Sequence, residues 1–154
     1  MGAAAGQAGL TRVVLPHYQI DDLRALLAWE HPSAIDDQGP FARLIEVSRR
    51  YFNAAQADFG EIPCDLPDAG SFTGMVYRAC RQVPYGQTTS YSELAKQIGR
   101  PDAARAVAAA LGANPVPLVV PCHRVIYADG RPGGFSAEGG VDLKLRMIEL
   151  EKRR

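Results

Sequence analysis

The chain has 154 residues, 47% of them hydrophobic and 22% charged, with 17 Lys/Arg balanced by 17 Asp/Glu. That length suits one ordinary core, or a small subdomain packed on a larger one, and the composition is that of a globular protein in water. It excludes a membrane-spanning helix, which needs roughly 20 consecutive apolar residues, and the small residues that open the chain lack the basic start of a secretory signal.

In chain order, residues 12–15 (Arg-Val-Val-Leu) read as a short strand, and residues 21–29 as a helix with Leu23, Leu26 and Leu27 on one face. A second helix is expected over 41–53, with Phe41, Leu44, Ile45, Ser48 and Phe52 at helical spacing. The Pro, Gly and Asp cluster in 63–71 then breaks the pattern. Residues 72–82 form a helix that stops at Pro84-Tyr85-Gly86. The spacing of Ser90 and Glu93 is that of a capping box, in which each side chain satisfies the other's free backbone N–H. The helix that follows ends at Gly99, and Pro101 fits the first turn of another helix running to Leu111.

The expected fold class is therefore α+β. A small αβ subdomain over 1–70 precedes a mostly helical domain over 71–154 that holds a helix-turn-helix and a cysteine loop. The charge is unevenly divided. Residues 1–75 carry 5 Lys/Arg against 10 Asp/Glu, and residues 76–131 carry 7 against 3, so any phosphate-facing surface belongs to the second part.

The second helix of the pair is unusual. Val107 and Leu111 form its core stripe, whereas Arg105, Ala108, Ala109 and Gly112 fall together on another face by the i, i+3, i+4, i+7 rule. A reader of bases in the major groove needs several long polar side chains. One arginine on a smooth face suits close approach to a narrow groove and entry into a base stack, and the bland alternative is an Ala-rich helix packed inside a small protein.

Residues 117–126 read Pro-Leu-Val-Val-Pro-Cys-His-Arg-Val-Ile. A thiolate, not a thiol, is the nucleophile, and a histidine that takes the proton is the commonest means of making one near neutral pH. Cys122 and His123 are thus the leading chemical candidates. Cys64 and Cys80 read as ordinary reduced residues. His17, His31 and His123 have no metal-ligand spacing with the cysteines, so neither metal nor cofactor is expected. Arg124 reads as a group that caps carbonyls within the active-site turn. Asn114 before Pro115 reads either as a helix terminator or as a brace for the cysteine loop.

The string Asn114-Pro115-Val116-Pro117 followed by Val120-Pro121-Cys122-His123-Arg124-Val125-Ile126 resembles the signature of the O6-alkylguanine-DNA alkyltransferases. The likeness extends back through Val83-Pro84-Tyr85-Gly86, Tyr91 and Ala103-Ala104-Arg105-Ala106-Val107, and forward through Gly133-Gly134-Phe135-Ser136 to Lys144 and Glu149-Leu150-Glu151. It covers about half the chain. The first seventy residues resemble the family's variable amino-terminal domain only loosely.

The resemblance implies a single-turnover repair reaction on alkylated double-stranded DNA. Cys122 takes an alkyl group from O6 of guanine, with O4-alkylthymine a further candidate, and is consumed. His123, through a water, and Glu151, with Glu149 as fallback, form the relay. Tyr91 turns and binds the flipped base. Val125, Phe135, Ser136 and Asn114 shape its pocket. Arg105 fills the gap in the stack, with Ala104, Ala106 and Ala108 against the minor groove. The stretch Ser136-Ala137-Glu138 before Gly139 is longer than the family's common form, which leaves open which residue meets O6. A monomer acting in the cytoplasm, on the nucleoid when bound, is expected. The alternatives are a non-enzymatic alkyltransferase-like protein, which lacks the acceptor cysteine, and a helix-turn-helix regulator with an alkylation-sensing cysteine.

Overall fold

The computed structural model describes residues 1–16 and 18–153; His17 lies outside them. Strand β1 (Gly2–Gly6) pairs antiparallel with β2 (Gly9–Val14), and helices α1 (Ile20–Glu30) and α2 (Ala42–Phe52) follow. After the break come α3 (Phe72–Arg81), the two-residue strand β3 (Thr89–Ser90), α4 (Tyr91–Gln97) and α5 (Ala104–Gly112). A 3-10 turn (Cys122–Arg124) leads into β4 (Val125–Ile126), parallel to β3, and α6 (Gly140–Lys152) closes the described chain. The mixed fold agrees with the α+β expectation, and no described helix is long and apolar enough to cross a membrane.

Several local expectations need correction. The small opening residues, which carry no strand signal of their own, become β1 because the ladder from Gly2 opposite Val14 to Gly6 opposite Gly9 satisfies their backbone. On α2 the buried face is Leu44, Val47, Ser48 and Tyr51, while Phe52 is 41% exposed. The apolar stripe is rotated from the one read in sequence, since Tyr51 finds partners in Phe59 and Tyr85 that sequence spacing does not reveal. Pro101 lies in the turn before α5, whose first helical residue is Ala104.

The capping box is half formed. Ser90 Oγ accepts from the Glu93 backbone N–H at 3.0 Å, but the Glu93 carboxylate turns outward to Lys96 at 3.1 Å. A solvated i,i+3 ion pair competes successfully with the reciprocal cap. Gly99, at φ +72°, supplies the left-handed residue that ends the α4 segment and lets the chain reverse toward α5.

A continuous core holds the site in place. Leu10, Val13, Val47 and Tyr51 from the first part belong to the same buried cluster as Val76, Cys80, Leu94, Val107 and Val120 from the second. Val107 and Leu111 form the buried stripe of α5, as the spacing predicts, and the Tyr77 hydroxyl donates to the Ala110 carbonyl at 3.0 Å, locking α5 onto α3. Arg105 is thereby left exposed on the opposite side.

Candidate active site

The cysteine loop is anchored by Asn114. Its Nδ2 donates to the Val120 carbonyl at 2.8 Å and to Cys122 Sγ at 3.2 Å, while its Oδ1 accepts from the Val116 N–H at 3.0 Å. One buried amide therefore ties the segment after α5 to the nucleophile, as the brace reading of Asn114 has it; Ala113, not Asn114, caps the helix, and Asn114 does not take the left-handed conformation of a helix terminator. Burial raises the Cys122 pKa above that of a free thiol; the Asn114 hydrogen bond and the Lys144 charge work against that rise. The resting group is a thiol that needs a base.

His123 is fully buried, and its Nε2 lies 2.7 Å from Glu151 Oε1. A carboxylate only accepts, so Nε2 carries the hydrogen and Nδ1 carries the lone pair. Nδ1 has no protein partner. Burial depresses the His123 pKa, against the pull of Glu151, so the ring is neutral and basic at Nδ1 near neutral pH.

Glu151 collects further donors. Arg124 reaches it with Nε at 2.9 Å from Oε2 and a second guanidinium nitrogen at 3.1 Å from Oε1, and the Gly86 N–H donates to Oε2 at 3.0 Å. Burial alone would raise its pKa, but the hydrogen bonds and charges of His123 and Arg124 outweigh that and hold it at about 2. Arg124 also caps the Val83 carbonyl at 2.7 Å, which is the carbonyl-capping place its sequence position suggests, and it additionally neutralises Glu151. Glu149 instead faces Arg153.

Sequence reasoning gave Lys144 no role of its own. It is 1% exposed, and its Nζ donates to the Val125 carbonyl at 2.6 Å and to the Tyr91 hydroxyl at 3.3 Å. No carboxylate pairs with it among the described residues. Burial lowers its pKa to about 8, and a Cys122 thiolate would stabilise its charge. The sequence signal was faint: one lysine in a helix otherwise reads as surface. Tyr91 is buried, which raises its pKa to about 12, and its ring meets Tyr127 edge-on at 5.1 Å.

Cys122, Asn114, Phe135 and Ser136 line one cavity of about 110 Å³. Val125 does not line it; it is fully buried, pairs with Thr89 across β3 and β4, and serves Lys144 through its carbonyl. Ala106 is exposed beside Arg105, while Ala104 and Ala108 are half-buried. Among the described residues, no group of three His, Cys, Asp or Glu side chains is placed to hold a metal ion.

A buried thiol, backed by a histidine–carboxylate pair and mounted behind a helix-turn-helix, defines a class: proteins that carry a cysteine nucleophile on a DNA-binding scaffold. Residues 71–153 match the family model described as 6-O-methylguanine DNA methyltransferase, DNA binding domain. The chain belongs to this family. It is 42% identical over 118 residues to the methylated-DNA–protein-cysteine methyltransferase of Mycobacterium bovis, covering 77% of this chain and 69% of the relative. Its structure is similar to that of the Mycobacterium tuberculosis O6-methylguanine methyltransferase, with a TM-score of 0.75 and 33% identity over 99% of this chain and 92% of the other. It also resembles the same organism's OGT in complex with DNA, with a TM-score of 0.67 and 42% identity over 73% of this chain and 67% of that one.

Proposed function

We propose that the protein repairs DNA by moving the alkyl group of O6-alkylguanine onto its own Cys122, once per molecule. The observation that carries this reading is a pair of buried contacts, Asn114–Cys122 at 3.2 Å and His123–Glu151 at 2.7 Å, which tie the cysteine loop to the segment after α5 and to α6. His123 Nδ1 takes the thiol proton through a water, and Glu151 steadies the imidazolium. Sγ forms a bond to the alkyl carbon as the carbon–O6 bond breaks. The electron pair goes to the guanine, which is neutralised by a proton. Tyr91 is the donor toward the base, its hydroxyl supported by Lys144. Ser136, in the cavity beside Cys122, is assigned to O6.

The target atom is out of reach inside a duplex, so the nucleotide is turned out of the stack at a cost of a few kcal/mol. Exposed Arg105 fills the gap, and Ala104, Ala106 and Ala108 allow α5 to approach the minor groove. Residues 71–154 form the DNA-binding acceptor domain and residues 1–70 a smaller supporting one. The protein works as a monomer in the cytoplasm, on the nucleoid while bound. The non-enzymatic alternative is disfavoured because the acceptor cysteine is present with a base and an orienting carboxylate.

Mass spectrometry after incubation with a duplex containing O6-methylguanine tests the assignment. The expected result is a gain of one methyl group on Cys122, absent in Cys122→Ser. Methylation elsewhere, or none, would overturn it.

A further inference from the structure

The His123–Glu151 pair is not surrounded by the second part of the chain alone. Tyr51, on α2 in the first part, is fully buried, and its hydroxyl lies 3.5 Å from His123 Nε2, the nitrogen that donates to Glu151 at 2.7 Å. The phenol ring meets the imidazole edge-on, with centroids 6.3 Å apart, and meets Tyr85 in the same manner at 6.1 Å. Phe59 packs against it at 5.9 Å. Rings on three sides hold the phenol in place beside the imidazole.

A phenylalanine would fill the same space, so the hydroxyl requires its own reason. A buried hydroxyl costs free energy unless it finds a partner. Among the described residues, Tyr51 finds its partners in the His123 ring and the Glu151 carboxylate. Burial raises the Tyr51 pKa, and the charge of Glu151 and a hydrogen bond to that carboxylate raise it further, so the phenol keeps its proton and donates it to the carboxylate as a hydrogen bond. The lone pairs of the same oxygen are then free to accept from Nε2–H.

That acceptor gains strength when the ring is charged. As Nδ1 takes the Cys122 proton, positive charge spreads to Nε2–H, and a hydrogen bond from a charged donor is stronger than one from a neutral donor. The other groups around the ring divide by sign. Glu151 on α6 favours the imidazolium, whereas Arg124 in the same turn and Lys144 on α6 oppose it. Tyr85, which lies between Tyr51 and the Arg124 guanidinium, is neutral, as is the resting Cys122 thiol.

We propose that Tyr51 is a positioning residue for alkyl transfer: its hydroxyl accepts from His123 Nε2–H and donates to Glu151, which keeps Nδ1 bare in the resting state and steadies the imidazolium during transfer. Through this one side chain the first part of the protein takes part in the chemistry. The inference rests on the alkyl-transfer reading and adds a residue to its relay. No proton passes through Tyr51; the thiol proton goes to Nδ1 and the phenol keeps its own.

Tyr51→Phe removes the hydroxyl and keeps the ring, and single-turnover transfer from an O6-methylguanine duplex, followed from acid to neutral pH, tests the role. Loss of one hydrogen bond to the imidazolium makes His123 a weaker base and thins the thiolate–imidazolium population, so the rate at neutral pH should fall about fivefold. On the acid limb the difference should vanish, because a weaker base is also freed of its proton at lower pH and the two effects cancel. Titration of the ¹⁵N-labelled histidines reads the same change without any alkyl transfer: the His123 midpoint should move down by about 0.7 of a pH unit, the logarithm of about fivefold. An equal loss of rate at every pH, a neutral-pH rate within about twofold of the parent, or an unmoved His123 midpoint would overturn the proposal while leaving alkyl transfer intact. Absence of transfer in the unmodified protein would instead remove the underlying reading, and the proposal with it.

Discussion

Replacing Glu151 by glutamine isolates the charge at the centre of the site. The carboxylate, 2% exposed in its side chain, is held by His123, two guanidinium nitrogens and the Gly86 N–H, and its pKa is lowered from 4.5 to about 2. At 1.36 kcal/mol per unit, that shift corresponds to about 3 kcal/mol of stability, in line with the ~3–5 kcal/mol lost when one partner of a buried ion pair is removed. A lowered carboxylate pKa stabilises the fold above the unfolded value near 4.5, and the contribution disappears as pH falls toward about 2. Glu151→Gln should therefore be about 3 kcal/mol less stable at pH 7, and the gap from the parent should shrink to less than about half of that at pH 3. Urea unfolding at the two pH values measures both quantities. A gap below 1 kcal/mol at pH 7, or one unchanged at pH 3, would refute the electrostatic account.

Three other perturbations follow from the geometry. Arg105→Ala should slow repair of duplex DNA far more than reaction with free O6-benzylguanine, since only the duplex requires flipping; equal losses in the two assays would contradict the assigned role. Asn114→Ala leaves the buried Val116 N–H and the Val120 carbonyl without its amide, so chemical denaturation should show a loss of about 2–4 kcal/mol, and the pH profile of iodoacetamide labelling at Cys122 should move upward. Lys144→Met should shift that profile the same way, because the cation that favours the thiolate is gone. It should also flatten the stability curve in base. The parent lysine is depressed to about 8, so the folded state sheds its proton first and the parent gains stability from about pH 8 toward 10.5.

The chemistry was legible in sequence because much of it is local. Cys122 and His123 are neighbours, and the Asn-Pro-Val-Pro string places Asn114 eight residues from the thiol. The Ser90 cap and the left-handed Gly99 mark the turn between α4 and α5 by rules that act within a few residues. The rotated face of α2, the pairing of β1 and the outward turn of Glu93 were not legible, since each depends on a partner that sequence spacing does not identify.

The sequence by itself determined the nucleophile, the helix pair and the lone arginine on a smooth helix, because residue type and short-range period suffice for these. Only the tertiary structure decided that Glu151 rather than Glu149 meets His123, which the rotation of α6 settles across 28 residues. It alone turned Lys144 inward, where burial lowers its pKa. It also brought Tyr18 and Leu26 from the chain's first thirty residues to the Cys122 cavity. The physical reason is common to all three: a pKa or a cavity wall is a property of what surrounds a group, and those surroundings are assembled by burial between segments far apart in the chain.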